Sequence, residues 1–171
     1  VLGSAPKYDS TKCDMPKEDS GKDLSKLFVY SYKQGIDLPD YRRGGGPNDD
    51  PGRHDHITYL DEEVVPGADF YVEASWMGTK PRAPLPPGVK HPGPKEHIHP
   101  FPEIITFFGT NRDDLYDLCG DVVLFMEGKE FIIDRSFVAY IPENIPHAPL
   151  YVRNIHDRMF HFTAGPAKKY I

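Results

Sequence analysis

In the stretch PKEHIHPFPEIITFFG at 94–109, His97 and His99 stand two apart and Glu103 follows four residues after the second. Imidazoles and a carboxylate are donor types that bind divalent transition metals. Side chains alternate along an extended segment, so His97, His99, Phe101 and Glu103 share one face while Pro100 and Pro102 take the other. Prolines donate no ladder hydrogen bond and are tolerated at an edge or bulge, so they do not exclude a site here. A glutamate buried beside two histidines is costly unless a cation binds all three. The fourth expected ligand is His147 in AYIPENIPHAPL, because the turn PENIP can return its side chain to the interior. The expectation is one divalent transition-metal ion per chain (Fe, Mn, Zn or Ni) on His97, His99, Glu103 and His147, against the alternative of a purely structural polar cluster.

Other residues carry weaker chemical signals. His161 in MFHFTAG shares parity with Met159 and Thr163 and can face a cavity as an acid–base group; the alternative is an outward or structurally satisfied histidine. Tyr140 is a second candidate for proton transfer, although it is also expected in the core with Trp76, Phe107, Phe125 and Phe162. His54 and His56 form another HxH, but in a Gly- and Asp-rich stretch with no glutamate four residues on; a solvated loop is expected, with a second or lid-borne site as the alternative. His91 and His156 read as surface residues, and Asp61, Glu62 and Glu63 as a solvated turn.

These residues need a scaffold of strands. EIITFFG, DVVLFMEG, KEFIID, FVAYIP, LYVRN and MFHFTAG are short, rich in Val, Ile, Phe and Tyr, and punctuated by turn formers. No window carries a convincing helical period. An all-β chain of this kind closes its edges as a small barrel or a double-sheet jelly roll. Earlier in the chain, LFVYSY at 27–32 reads as a strand, and ITYLDEEVVPGADFYVEASWMG at 57–78 offers two β-like runs, of which DFYVEASWM places Phe70, Val72, Ala74 and Trp76 on one face. Residues 1–23 read as a polar tail, YRRGGGPNDDPGRHD at 41–55 as a long loop, and PRAPLPPGVKHPGP at 81–94 as an extended proline-rich connector. The expected division is an N-terminal extension with one or two strands over 1–60 and a barrel over 61–171.

Composition limits the function classes. The 171 residues, 39% of them hydrophobic, suffice for one domain with a real core. A net charge of −6 argues against a nucleic-acid partner, which needs clustered Lys and Arg. Cys13 and Cys119 lack CxxC spacing and are too few to staple the domain, which fits a reduced cytoplasmic setting. No apolar run approaches the roughly 20 residues that span a bilayer, so no membrane partner is expected.

HIHPFPE resembles the first cupin motif, in which HxH is followed by Glu, and IPENIPH resembles the second, in which PxG is followed by two residues and His. The resemblance spans about residues 69–165 and implies a cupin-type double-stranded β-helix, a jelly-roll barrel carrying the N-terminal extension. His97, His99, Glu103 and His147 match the four ligand positions. The departures fall elsewhere. His91 stands where a glycine is usual, with Gly93 nearby; Gly109 arrives one residue early; Ser136, Asn144 and Tyr151 replace the customary Gly, Gly and Asn. Asn144 can still make the turn, because asparagine tolerates positive φ better than other non-glycine residues.

Three neutral imidazoles and a carboxylate around a divalent ion leave a net charge near +1 and two open positions at six-coordination. Such a centre favours a small anionic or metal-chelating substrate. It supports isomerase or lyase chemistry with the metal as Lewis acid, or an oxidoreductase such as a dioxygenase if the metal is iron. The rival expectation is a non-catalytic metal- or ligand-binding module, and a sensor domain ranks third because no DNA-binding helix or basic patch accompanies the barrel. Many cupins pair through an edge strand, and LFVYSY or the proline arm offers one, so a homodimer is expected.

Overall fold

A computed structural model of the chain describes residues 23–33, 35, 36, 39, 54–79, 84, 85 and 87–171. Residues 1–22 of the expected tail, Cys13 among them, and most of the loop over 41–55 lie outside the described residues. Eight strands follow in order: β1 (His54–Leu60), β2 (Tyr71–Met77), β3 (Glu103–Gly109), β4 (Asp117–Met126), β5 (Lys129–Arg135), β6 (Phe137–Ile141), β7 (His147–Arg153) and β8 (Met159–Gly165). A five-stranded sheet ordered β1-β2-β8-β3-β6 faces a three-stranded sheet ordered β5-β4-β7, and every pairing is antiparallel. Helix among the described residues is confined to the 3-10 turn Leu24–Leu27, and no helix there is long and apolar enough to cross a membrane. The fold is all-β, as the short β-branched and aromatic runs predict.

The core lies between the two sheets. Ile105 and Phe107 of β3, Ile141 of β6 and Met159 of β8 meet Leu118, Val122 and Leu124 of β4 and Val152 of β7. Burial alternates along β8, where Met159, His161, Thr163 and Gly165 point inward. β5 covers little and stays largely exposed, with charged Lys129, Glu130, Asp134 and Arg135 along it, a composition that discourages edge-to-edge pairing.

Two strands begin earlier than their sequences indicate. β4 starts at Asp117 because the ladder bulges between Asp117 and Val122, where Cys119 and Gly120 take positive φ of 66° and 154°. β7 starts at His147 because its register against β4 shifts between Leu124 and Met126, which accommodates Pro149 without a ladder N–H.

Four readings are corrected. LFVYSY is not a strand: Phe28 and Tyr30 are exposed, and Tyr32 turns in to donate its hydroxyl to Glu73 Oε1 at 3.0 Å, so the segment docks by side chains without a backbone ladder. His54 and His56 are in β1 and not in a loop, where His56 pairs with Ser75 and places Nδ1 3.2 Å from Glu73 Oε1; a bulge between His56 and Thr58 breaks the alternation that would have revealed the strand. Phe70, Val72, Ala74 and Trp76 do share a face, but it is the outer one, and Tyr71, Glu73 and Ser75 point inward. Trp76 packs against Phe160 on that outer face with ring centroids 5.2 Å apart. Finally, Asp61 makes its turn while fully buried: Oδ1 accepts from the N–H groups of Glu63 and Val64 at 2.9 and 3.0 Å, and Lys33 Nζ lies 3.4 Å from Oδ2.

Candidate metal centre

The histidine stretch enters the barrel as irregular extended chain, and β3 begins at Glu103. The alternation expected of it holds: His99, Phe101 and Glu103 are buried and His97 partly so, while Ile98 and Pro100 are exposed. His97 and His147 form an isolated antiparallel bridge, each backbone N–H donating to the other's carbonyl at 3.1 Å. Asn144 takes φ 61°, the left-handed turn its position requires, and its N–H donates to the His99 carbonyl at 2.9 Å. The PEN turn thus carries His147 to the first histidine pair and is tied to it through the backbone.

All three imidazoles are oriented by main-chain carbonyls. The Nδ1–H groups of His97, His99 and His147 donate to the carbonyls of Lys95, Phe101 and Ile145 at 2.7, 2.6 and 2.8 Å. A nitrogen that donates to a carbonyl must carry the proton, so each neutral ring presents Nε2 as a lone pair. Nε2 of His99 and of His147 lies 3.4 and 3.3 Å from Glu103 Oε2. Two lone-pair nitrogens facing a buried carboxylate repel it unless a cation sits among them. His147 Nε2, though buried, makes no satisfactory hydrogen bond among the described residues. One ligand atom each from His97, His99 and His147 lies within 4.8 Å of the others. The donor set fits a divalent metal, and the backbone-anchored Nδ1–H is the arrangement that fixes tautomer and ring orientation in metal-binding histidines.

Glu103 is held from behind. Its Oε1 accepts from the hydroxyls of Tyr71 at 2.7 Å and Thr163 at 2.6 Å, which directs Oε2 at the histidines. Burial, and after it the Glu103 charge, pushes the Tyr71 phenol upward, so Tyr71 stays a donor. Burial also lowers His97 to about 4, keeping it neutral. Tyr170 Oη lies 3.1 Å from His97 Nε2 at the rim, and Tyr170 packs edge-on to Tyr71 with ring centroids 4.8 Å apart. Sequence reasoning missed Tyr71, Thr163 and Tyr170. Thr163 shares the inward parity of His161, and Tyr71 alternates against an apolar face that invited the opposite assignment; Tyr170, near the end of the chain, gives no periodic signal.

His161 faces the same pocket, with Nδ1–H donating to the Thr106 carbonyl at 2.7 Å and the ring stacked on Phe107 at 4.2 Å. Tyr140 does not join it: the residue is 65% exposed on the outer face of β6, opposite Ile104. His91 and His156 are exposed, and His91 lies against Phe125 and Tyr151. The pocket, about 300 Å³ including its open mouth, pairs these polar groups with apolar walls from Pro94, Ile105, Ala148 and Leu150.

No family profile and no curated protein matches the sequence. Solved structures do show likeness. An oxalate oxidase is 16% identical over 98% of this chain and 71% of its own, with a TM-score of 0.44. The polyketide cyclase RemF from Streptomyces resistomycificus is 16% identical over 84% of this chain and 78% of its own, with a TM-score of 0.44. A Cupin 2 conserved barrel domain protein from Salinispora arenicola is 18% identical over 59% of this chain and 66% of its own, with a TM-score of 0.35. The fold of this chain is two facing antiparallel sheets with the histidine segments meeting at one end.

Proposed function

We propose that this chain is a mononuclear metal-dependent cupin enzyme acting on a small anionic, chelating substrate, with His97, His99, Glu103 and His147 as the ligands. The grouping of three backbone-anchored imidazoles, two of which, His99 and His147, face the Glu103 carboxylate, carries the reading. A divalent ion there would supply Lewis-acid polarisation of a chelating carbonyl or carboxylate oxygen. Tyr71 and Thr163 hold the carboxylate ligand in place. His161, with its proton fixed on Nδ1 by the Thr106 carbonyl, offers Nε2 as a base at the pocket wall. That base favours proton-transfer chemistry, an isomerase or lyase, over dioxygenase chemistry, which needs no such group. The apolar walls beside the donors suit a small substrate with an apolar portion next to its chelating group.

The proposal includes a homodimer seated on the outer face of the five-stranded sheet. Phe70, Val138 and Tyr140 are 56%, 61% and 65% exposed there, beside Ile104, an apolar surface of the kind that marks an interface.

Metal analysis of anaerobically purified protein tests the central claim. About one equivalent per chain is expected, with loss in His99→Ala. Content well below one equivalent, unchanged by that substitution, would overturn it.

A further inference from the structure

The other end of the barrel holds a second set of donors that the four-residue centre does not use. β3 runs from Glu103 at the first site to Gly109, about 20 Å of extended chain. At Gly109 a Cβ would lie 2.0 Å from the Asp117 carbonyl oxygen, so Asp117 belongs to the far end. There Asp117, Cys119 and His156 each place one ligand atom within 4.8 Å of the others.

The cluster is assembled by its own backbone. Asp117 Oδ1 accepts from the Cys119 N–H at 2.9 Å, and the His156 N–H donates to the Cys119 carbonyl at 3.0 Å. Asp117 Oδ2 accepts from Asn111 Nδ2 at 2.9 Å and lies 3.7 Å from His156 Nε2, too far for a hydrogen bond. Cys119 is 1% exposed and in no disulfide among the described residues, and its Sγ lies within 4.8 Å of a ligand atom of Asp117 and of His156. A buried cysteine ordinarily serves as a small hydrophobe. This one stands beside a carboxylate and an imidazole at φ 66°, a conformation that disfavours most side chains.

We propose that Asp117, Cys119 and His156 form a second divalent-metal site of the zinc class, with the Cys119 thiolate as its soft ligand. Thiolate, imidazole and carboxylate supply three positions of a tetrahedron, and the exposure of His156 leaves the fourth to water. The thiol proton is released to solvent when the ion binds. The thiolate separates this site from the first, whose nitrogen and oxygen donors lack sulfur. The ion would tie the start of β4 to the β7–β8 loop at the base of the barrel.

Cobalt(II) titration of the full chain reads the site directly, because a thiolate ligand gives a near-ultraviolet charge-transfer band that nitrogen and oxygen ligands do not. The band is expected in wild type, in Cys13→Ser and in His99→Ala, and is expected to vanish in Cys119→Ser with loss of one bound equivalent. His156→Ala, at an exposed position that folding does not require, should weaken cobalt binding at the thiolate site at least ~10-fold. No band in wild type, a band that survives Cys119→Ser, or unchanged affinity in His156→Ala would overturn the proposal. Persistence of the band in His99→Ala separates this site from the first, so either can fail without the other.

Discussion

His97 and His147 are joined by two reciprocal backbone hydrogen bonds of 3.1 Å, and their rings meet at 4.3 Å. The main chain thus sets the distance between the two motifs before any ion is considered. Replacing the His147 ring should leave these bonds and the fold in place while removing a proposed ligand. His147→Ala is therefore expected to keep its circular dichroism spectrum and to lose the rise in Tm that added Mn(II) or Zn(II) gives the wild type. At a metal concentration of about 100 Kd that rise corresponds to ~2.7 kcal/mol. An equal metal-induced rise in the variant would remove His147 from the ligand set.

Glu103 depends on two hydroxyl donors, and they can be removed one at a time. Tyr71→Phe and Thr163→Val each leave a lone pair of the buried Oε1 without its donor. Each should weaken metal binding by about 10- to 100-fold, the cost expected when a ligand loses its orienting partner. Since both act on one oxygen, the double variant should depart from additivity. Isothermal titration with Mn(II) measures both effects, and affinities unchanged in both single variants would refute the role given to the pair.

Much of this site was legible because strand geometry is strict. The parity of 97, 99, 101 and 103 set a common face, and the observed burial follows it through irregular backbone. Asn144 could be recognised as a turn residue because few side chains tolerate its φ of 61°. Legibility failed where long-range packing overrode local pattern. Phe70, Val72, Ala74 and Trp76 look like a core face, yet β2 turns Glu73 and Ser75 inward because the polar end of the barrel lies there. LFVYSY has the composition of a strand, but its backbone finds no ladder and its Tyr32 anchors it to Glu73 instead. The bulges that start β4 and β7 early are set by contacts across the sheet, which no local window contains.

His161 can be separated from the ligands by its readout. His161→Gln should leave metal content and metal-induced stabilisation unchanged and cut turnover by about 100-fold or more, the usual worth of a positioned base. A loss of bound metal in this variant would make it a ligand-supporting residue and withdraw the proton-transfer role.

Acid should destabilise the metal-free protein through His97. Its folded value is about 4, and an imidazole in the unfolded chain titrates near 6.5. Between those values the unfolded chain binds more protons than the folded one, so His97's contribution, present in full above about pH 6.5, falls as pH drops toward about 4. Below that both states are protonated there and the contribution no longer changes. Urea melts of chelated protein from pH 7 to 4 should show this decline, and His97→Gln should make it shallower. A slope untouched by the substitution would assign the acid sensitivity to other groups.

The proposed homodimer predicts that a charge on the outer face of the five-stranded sheet will be disruptive. Val138→Arg alters a residue that is 61% exposed in the single chain, so its folding cost should be small. Light scattering is expected to give twice the chain mass for wild type and the single-chain mass for the variant. A single-chain mass for wild type at micromolar concentration would remove the dimer.

Tyr170 gives a prediction with an unusual sign. His97 carries its proton on Nδ1, which donates to Lys95, so Nε2 accepts from the Tyr170 hydroxyl at 3.1 Å. That lone pair is the one the proposed ligand role requires. The phenol therefore competes with the metal, and its removal should help binding where removal of Tyr71 harms it. Tyr170→Phe keeps the ring against Tyr71 and Phe101 and deletes only the competing donor. Chelated Tyr170→Phe protein is expected to take up Mn(II) faster than wild type, and to bind it as tightly or more tightly. Slower uptake or weaker binding would show that the hydroxyl supports the centre instead of guarding it.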